Sequence, residues 1–139
     1  MDIRDFLDGV IFNVLIGNAD AHGKNYSILY QQGNRRLAPF YDLVCTLAWP
    51  ELSKTPAMKI GSGESVETIT PAHWQEMARE TRVGWPMLRE RIADLCGKTI
   101  AGLRETAVRG AVSDARTADR VAGIIEERAS SLLRSLTRR

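Results

Sequence analysis

Apolar residues recur at steps of three and four through residues 2–17, where Ile3, Phe6, Leu7, Val10, Ile11, Val14 and Leu15 share one face. That period predicts an amphipathic helix. Asp2 can cap its start, and Gly17-Asn18 can take the left-handed backbone that ends it. The period then changes. Residues 26–30 and 36–38 are short runs of strand formers flanking Gln31-Gln32-Gly33-Asn34, which predicts a β-hairpin closed off by Pro39. From 43 to 65 neither period holds, because Trp49-Pro50, Thr55-Pro56 and Gly61-Ser62-Gly63 interrupt the stretch, with 57–60 as one further short strand. A helical period returns at Thr70-Pro71 and runs to about residue 82. After a Gly84-Trp85-Pro86 break, two more helices fit 87 to about 111, with Leu88, Ile92, Leu95 and Leu103 inward, and 114–136, with Val121, Ile124, Ile125, Leu132, Leu133 and Leu136 inward. The sum is a mainly α (α+β) domain: a helical bundle carrying one small β-hairpin.

At 139 residues, 44% apolar and 26% charged, without internal repeat or long linker, the chain reads as a single domain over 1–139; disorder and collagen-like structure are excluded. Its longest apolar run, 10–16, is broken by Asn13 and is far shorter than the roughly 20 residues that span a bilayer. The start, Met-Asp-Ile-Arg-Asp, lacks the basic head and apolar core of a signal peptide, so a cytoplasmic protein without membrane partners is expected. Cys45 and Cys96 stand in neither metal-ligand nor redox spacing and read as reduced, packed thiols.

The formal charge of +2 is too small to imply nucleic acid by itself. Its distribution is uneven: from Pro86 onward eleven Lys/Arg face seven Asp/Glu, against eight and ten before it. Fifteen of the nineteen cations are arginine, spaced along helices as a solvated face would space them.

Chemistry concentrates in residues 17–25, Gly-Asn-Ala-Asp-Ala-His-Gly-Lys-Asn. An apolar helix runs there straight into a loop holding Asn18, Asp20, His22, Lys24 and Asn25, and a strand follows at once to anchor its far end. A second stretch, Pro39-Phe40-Tyr41-Asp42-Leu43, sets one carboxylate among apolar neighbours directly after the hairpin. Antiparallel strands return the chain to its starting end, so Asp20, Asn25 and Asp42 can converge. Such a set offers hard oxygen donors for Mg²⁺ held partly by a nucleotide's phosphates, a carboxylate to accept a hydroxyl proton, and a cation to neutralise transferring charge. A zinc site from Asp20, His22 and Asp42 is disfavoured by its oxygen-rich donors. Gly61-Ser62-Gly63-Glu64-Ser65 lacks the spacing of a phosphate loop and reads as a surface turn. His73 and Trp74 read as packing residues, and Asn18 as a helix cap first.

Asp20-x-His22-x-Lys24-Asn25 followed by Phe40-Tyr41-Asp42 resembles the catalytic loop and metal-binding motif of HipA-like kinases. The Asp-x₄-Asn spacing is shared with protein kinases, and the His two positions after Asp with phosphoinositide kinases. Residues 57–61 and Pro71-Ala72-His73-Trp74 also look like the C-terminal half of that family. By position, the resemblance implies Asp20, His22 and Lys24 as catalytic residues, with Asp20 as general base and His22 and Lys24 near the phosphates, and Lys24, Asn25 and Asp42 as ATP-binding residues, of which Asn25 and Asp42 are the Mg²⁺ ligands. It implies a protein-kinase-like C-terminal lobe of a serine/threonine kinase, using ATP and Mg²⁺, that is the toxin of a bacterial toxin–antitoxin module. A HipB-like helix-turn-helix antitoxin and a translation protein such as a glutamate–tRNA ligase are the implied partners, with DNA reached only through the antitoxin. The N-terminal lobe with its phosphate-covering loop is not in this sequence, so the chain alone is expected to bind nucleotide weakly and turn over little. Two other classes stay open: a protein- or DNA-binding helical module, and a kinase-like scaffold without catalysis.

Overall fold

The computed structural model describes residues 3–105 and 114–137. Helix α1 (Ile3–Leu15) is followed by a 3₁₀ turn (Gly23–Asn25), strands β1 (Ile28–Gln31) and β2 (Asn34–Leu37), two further 3₁₀ turns (Thr46–Ala48 and Val66–Thr68), and helices α2 (Pro71–Thr81), α3 (Trp85–Arg104) and α4 (Ala115–Thr137). Among the described residues no helix is long and apolar enough to cross a membrane. Asp2, the expected cap of α1, lies outside the described residues, as does the expected stretch of α3 over 106–111.

The buried face of α1 carries Leu7, Val10, Ile11, Val14 and Leu15, as its period predicts, whereas Ile3 at the open end stays 64% exposed. Its far end is a Schellman motif: Asn18 N–H bonds Asn13 C=O at 2.9 Å and Gly17 N–H bonds Val14 C=O at 3.1 Å, with Gly17 at φ +73°. A Cβ on Gly17 would also lie 2.7 Å from Leu47 Cδ1, so only glycine suits both the turn and the packing. Trp74 of α2, Leu88, Ile92 and Cys96 of α3, and Ala129, Leu132 and Leu136 of α4 close the core on α1. Leu95, Leu103, Val121, Ile124 and Leu133 are partly buried against it or against the smaller cluster around Ile16 and Ile125.

Three boundaries differ from the sequence reading. Trp85 and Pro86 belong to the first turn of α3 rather than to a break before it, because a first-turn proline forfeits no helical hydrogen bond. The same helix ends at Arg104, with Glu105 extended, just after Leu103, its last apolar residue in phase. The expected strand over 57–60 is absent: Ala57 N–H reaches Ala19 C=O at 2.8 Å, one bond to a loop in place of a ladder. The hairpin forms, with Gln31 paired to Asn34 across Gln32 and Gly33, both at positive φ, as a twisted two-residue turn requires.

One arginine departs from the solvated-face reading. Arg128 of α4 turns inward, its Nε to Leu15 C=O (3.3 Å) and its Nη2 to Val14 C=O (2.7 Å) and Val66 C=O (2.8 Å). Burial pulls its pKa below the usual value. It satisfies the last carbonyls of α1 and complements that helix's negative end. Arg91 of α3 makes a two-pronged contact with Asp8 and bonds Asp94 at 2.9 Å, tying α3 to α1 from the other side. Cys45 and Cys96 are buried free thiols.

Candidate active site

Everything the loop after α1 does begins with where α1 stops. The Schellman turn delivers the chain to Asn18, whose amide is buried and fully used. Its Nδ2 donates to Asn13 Oδ1 (2.8 Å) and to Asp42 C=O (3.1 Å), while its Oδ1 accepts from Asp20 N–H (3.1 Å). Asn13, also buried, donates to Gly9 C=O (3.0 Å) and Tyr26 Oη (3.2 Å). Two buried amides, Asn13 in the last turn of α1 and Asn18 just beyond its end, thus hold both acid-bearing segments, and they persist there because their donors are satisfied.

Asp20 projects into solvent with Oδ1 2.8 Å from His22 Nε2. On the next turn Asn25 donates its side-chain amide to Asp42 Oδ2 at 2.8 Å, across seventeen residues of hairpin. Asp42 sits at φ +57°, in the left-handed region that aspartate tolerates better than most residues. The sequence-predicted residues therefore meet as two pairs, Asp20–His22 and Asn25–Asp42, and the link between the pairs runs through Asn18. Lys24 stands exposed between them on the 3₁₀ turn; its main-chain carbonyl accepts from Tyr41 Oη at 3.0 Å.

The second segment is held in register by aromatic packing. Phe6, Tyr26 and Phe40 form a tilted series with centroids 4.8 and 6.1 Å apart, and the Phe40 ring lies over Gly9. Burial of Tyr26 pushes its phenol pKa above the ordinary value. Below Asp20 the Thr46 hydroxyl takes the Ala19 N–H (2.9 Å) and donates to Gly17 C=O (3.0 Å), fixing the loop's floor. A groove of about 440 Å³ opens beside Asp20 and His22, walled by Leu52, Ser53, Thr55 and Pro56.

The Asn25–Asp42 pair fits a hard divalent ion: one carboxylate, with the amide oxygen of Asn25 left free to point outward when its nitrogen faces Asp42. Among the described residues no group of three or more His, Cys, Asp or Glu could hold a metal, so these donors suit an ion that keeps waters or phosphates in its shell. The 61–65 segment lies away from this site, with Ser62 N–H and Oγ bonded to Glu76 Oε2 at 2.7 and 2.6 Å; these bonds hold the Glu76 carboxyl below its usual range. His73 Nδ1 accepts the Thr70 N–H at 3.0 Å as a helix cap, and Trp74 is fully buried. Asn18 is the residue whose weight the sequence reading missed. The signal that exposes it, a bond across twenty-four residues to Asp42, has no local pattern.

Comparison with known proteins gives the family and the fold of the chain. The family model of the HipA-like C-terminal domain matches residues 1–107. A Sinorhizobium fredii protein named as a kinase, Y4mE, is 46% identical over 98 residues, 70% of this chain and 23% of that protein. The serine/threonine-protein kinase toxin HipA of Shewanella oneidensis is 42% identical over 57 residues, 41% of this chain and 13% of that protein. Among solved structures, a chain of the Shewanella oneidensis MR-1 complex of HipA, HipB and operator DNA superposes with a TM-score of 0.86 at 22% identity, over 96% of this chain and 32% of that one. The chain thus spans about a third or less of the length of these relatives.

Proposed function

This chain belongs to the HipA-like C-terminal domain family, and from that premise we propose that it is the C-terminal catalytic lobe of a serine/threonine protein kinase. It acts with an N-terminal lobe to move the ATP γ-phosphate to a protein hydroxyl. The observation that carries this reading is the 2.8 Å contact between Asn25 and Asp42, with Asp42 and Asp20 both bonded to the Asn18 amide.

Asn25 and Asp42 would hold Mg²⁺, which supplies neutralising charge for the phosphates when bound. Asp20 accepts the proton of the attacking hydroxyl as the new O–P bond forms and ADP departs. His22, at hydrogen-bond distance, fixes the rotamer of that carboxylate and keeps one oxygen aimed outward. Lys24 adds a cation beside the transferring group. The acceptor reaches Asp20 along the groove lined by Leu52 and Pro56. Assayed without a phosphate-covering lobe, these 139 residues bind nucleotide weakly, because positioning supplies most of the rate in phosphoryl transfer.

The same reading gives the protein a toxin's role in a bacterial toxin–antitoxin module within the cytoplasm. Its partners are a HipB-like helix-turn-helix antitoxin, operator DNA through that antitoxin alone, and a translation-protein substrate such as a glutamate–tRNA ligase. Support for the toxin role comes from the named toxin relative, and support for the antitoxin from the fold neighbour, which was solved with HipB and operator DNA; the substrate rests on the family resemblance alone.

Calorimetry of ATP with and without Mg²⁺ tests the assignment, on the chain alone and with an N-terminal lobe from a HipA-like kinase added in trans. Mg²⁺-dependent heat that disappears in Asp42→Ala is the expected result. No binding even with the added lobe would overturn the kinase reading in favour of an interaction module.

A further inference from the structure

We infer that Asn18, supported by Asn13, is the positioning residue that holds Asp42 in its metal-binding conformation. This rests on the assignment of Asn25 and Asp42 as the metal-binding pair. Asp42 is at φ +57°, a backbone state that side-chain-bearing residues leave unless something retains them. Its own carboxylate is engaged sideways by Asn25, in the exposed part of the site, and that bond does not restrain the main chain. The Asp42 carbonyl is instead taken by the Asn18 amide, 3.1 Å away.

Asn18 can act as that restraint because it cannot turn. It is 4% exposed, and each hydrogen of its Nδ2 has a partner, Asn13 Oδ1 and Asp42 C=O, while Oδ1 receives the Asp20 N–H. Rotating the amide would break all three bonds at once. Asn13 is locked in turn by Gly9 C=O and Tyr26 Oη, so the restraint is anchored in the middle of α1 rather than in the loop. One amide therefore sets the Asp20 segment and the Asp42 segment relative to each other, a spacing that a catalytic carboxylate and a metal ligand must keep to within a fraction of an ångström. An aspartate at 18 would keep the bond from Asp20 N–H yet lose both donations. An alanine would free the Asp42 carbonyl and leave only the Asn25 bond to its carboxylate.

The test is Mn²⁺ titration of the 139-residue chain, read by paramagnetic broadening of the Asn25 side-chain and Asp42 main-chain NMR signals, alongside the thermal midpoint of each variant. Wild type is expected to broaden at both residues and Asp42→Ala to show no such broadening. Asn18→Ala, or Asn18→Ser where alanine fails to fold, is expected to need about ten-fold more Mn²⁺ while folded. Glu76→Gln, which weakens the Ser62 bonds and touches neither Asn13 nor Asn18, is expected to lower the midpoint with unchanged Mn²⁺ response. A folded Asn18 variant that responds like wild type overturns the positioning role and leaves the metal pair standing. Wild type without broadening at Asn25 and Asp42 overturns the metal pair, and the role of Asn18 with it.

Discussion

Gly9 and Phe40 interlock: a Cβ built on Gly9 would lie 2.5 Å from Phe40 Cε1 and 2.7 Å from Cζ. The ring that leads into Tyr41-Asp42 rests on bare helix backbone. Alanine at 9 gains about 1 kcal/mol of helix propensity, but forcing the ring aside costs about 1–3 kcal/mol. The clash outweighs the propensity, so Gly9→Ala is expected to destabilise by about 1 kcal/mol, measured by urea denaturation. A more stable Gly9→Ala would show that the Phe40 ring moves without strain.

Asp20 and His22 divide one task unequally. In a kinase reconstituted with its N-terminal lobe, Asp20→Asn is expected to lower the transfer rate by about 10²–10⁴ while leaving Mg²⁺-ATP binding intact. His22→Ala, which removes only the 2.8 Å brace, is expected to cost roughly ten-fold or less. Equal losses in both variants would make His22 a direct participant. Single-turnover phosphate transfer separates these outcomes.

Arg128 replaced by methionine keeps most of the side-chain volume and leaves the carbonyls of Leu15 and Val66 without their donor and that of Val14 with the Gly17 N–H alone. Each buried unsatisfied group costs about 1–3 kcal/mol, and partial hydration reduces the sum. A loss of about 3 kcal/mol in unfolding free energy is expected, and Arg128→Lys is expected to recover less than half of it, since one ammonium cannot reproduce the fork.

Acid lability follows from three surface carboxylates whose pKa values are lowered, among them Asp114, held down first by its Thr117 bond. Glu76 is held down first by its Ser62 bonds and Asp94 first by Lys98. A carboxyl with a lower pKa in the folded than in the unfolded state stabilises above its unfolded value, near 4, and that stabilisation fades as pH falls through the folded value. Glu76→Gln is therefore expected to be less stable than wild type at pH 6, with the gap closing by about pH 3. Thermal midpoints across that range check it, and a pH-independent gap would sink the explanation.

Burial pushes the Cys96 thiol up to about 11, and burial also raises Cys45. Thiolate is the reacting form, so neither residue is expected to take up iodoacetamide at pH 8 in the native chain, whereas both react once it unfolds. Mass spectrometry of labelling with and without denaturant reads this directly.

Helices and hairpin were legible because their information is local. The three-four spacing in α1, Pro71 after Thr70, and Gly33 at a left-handed turn each act within a few residues. The loop's composition also pointed to the Asn25–Asp42 meeting, since a hairpin must return its end to its start. What was not legible acts at long range. Arg128 looks like any surface arginine until the open carbonyls of Leu15 and Val66 are brought to it, and the 57–60 stretch looks like a strand until no neighbouring strand arrives. Asn18 combines both situations, a local cap by sequence and a distant tether by contact.

The family match ends at residue 107, yet the side chain that completes α1 comes from residue 128. Likeness of sequence and completeness of hydrogen bonding therefore draw different borders around this domain. A piece cut at the former border would keep every residue of the 17–25 and 39–43 motifs while orphaning the helix that presents them. The last helix is thus part of the smallest unit able to show the site.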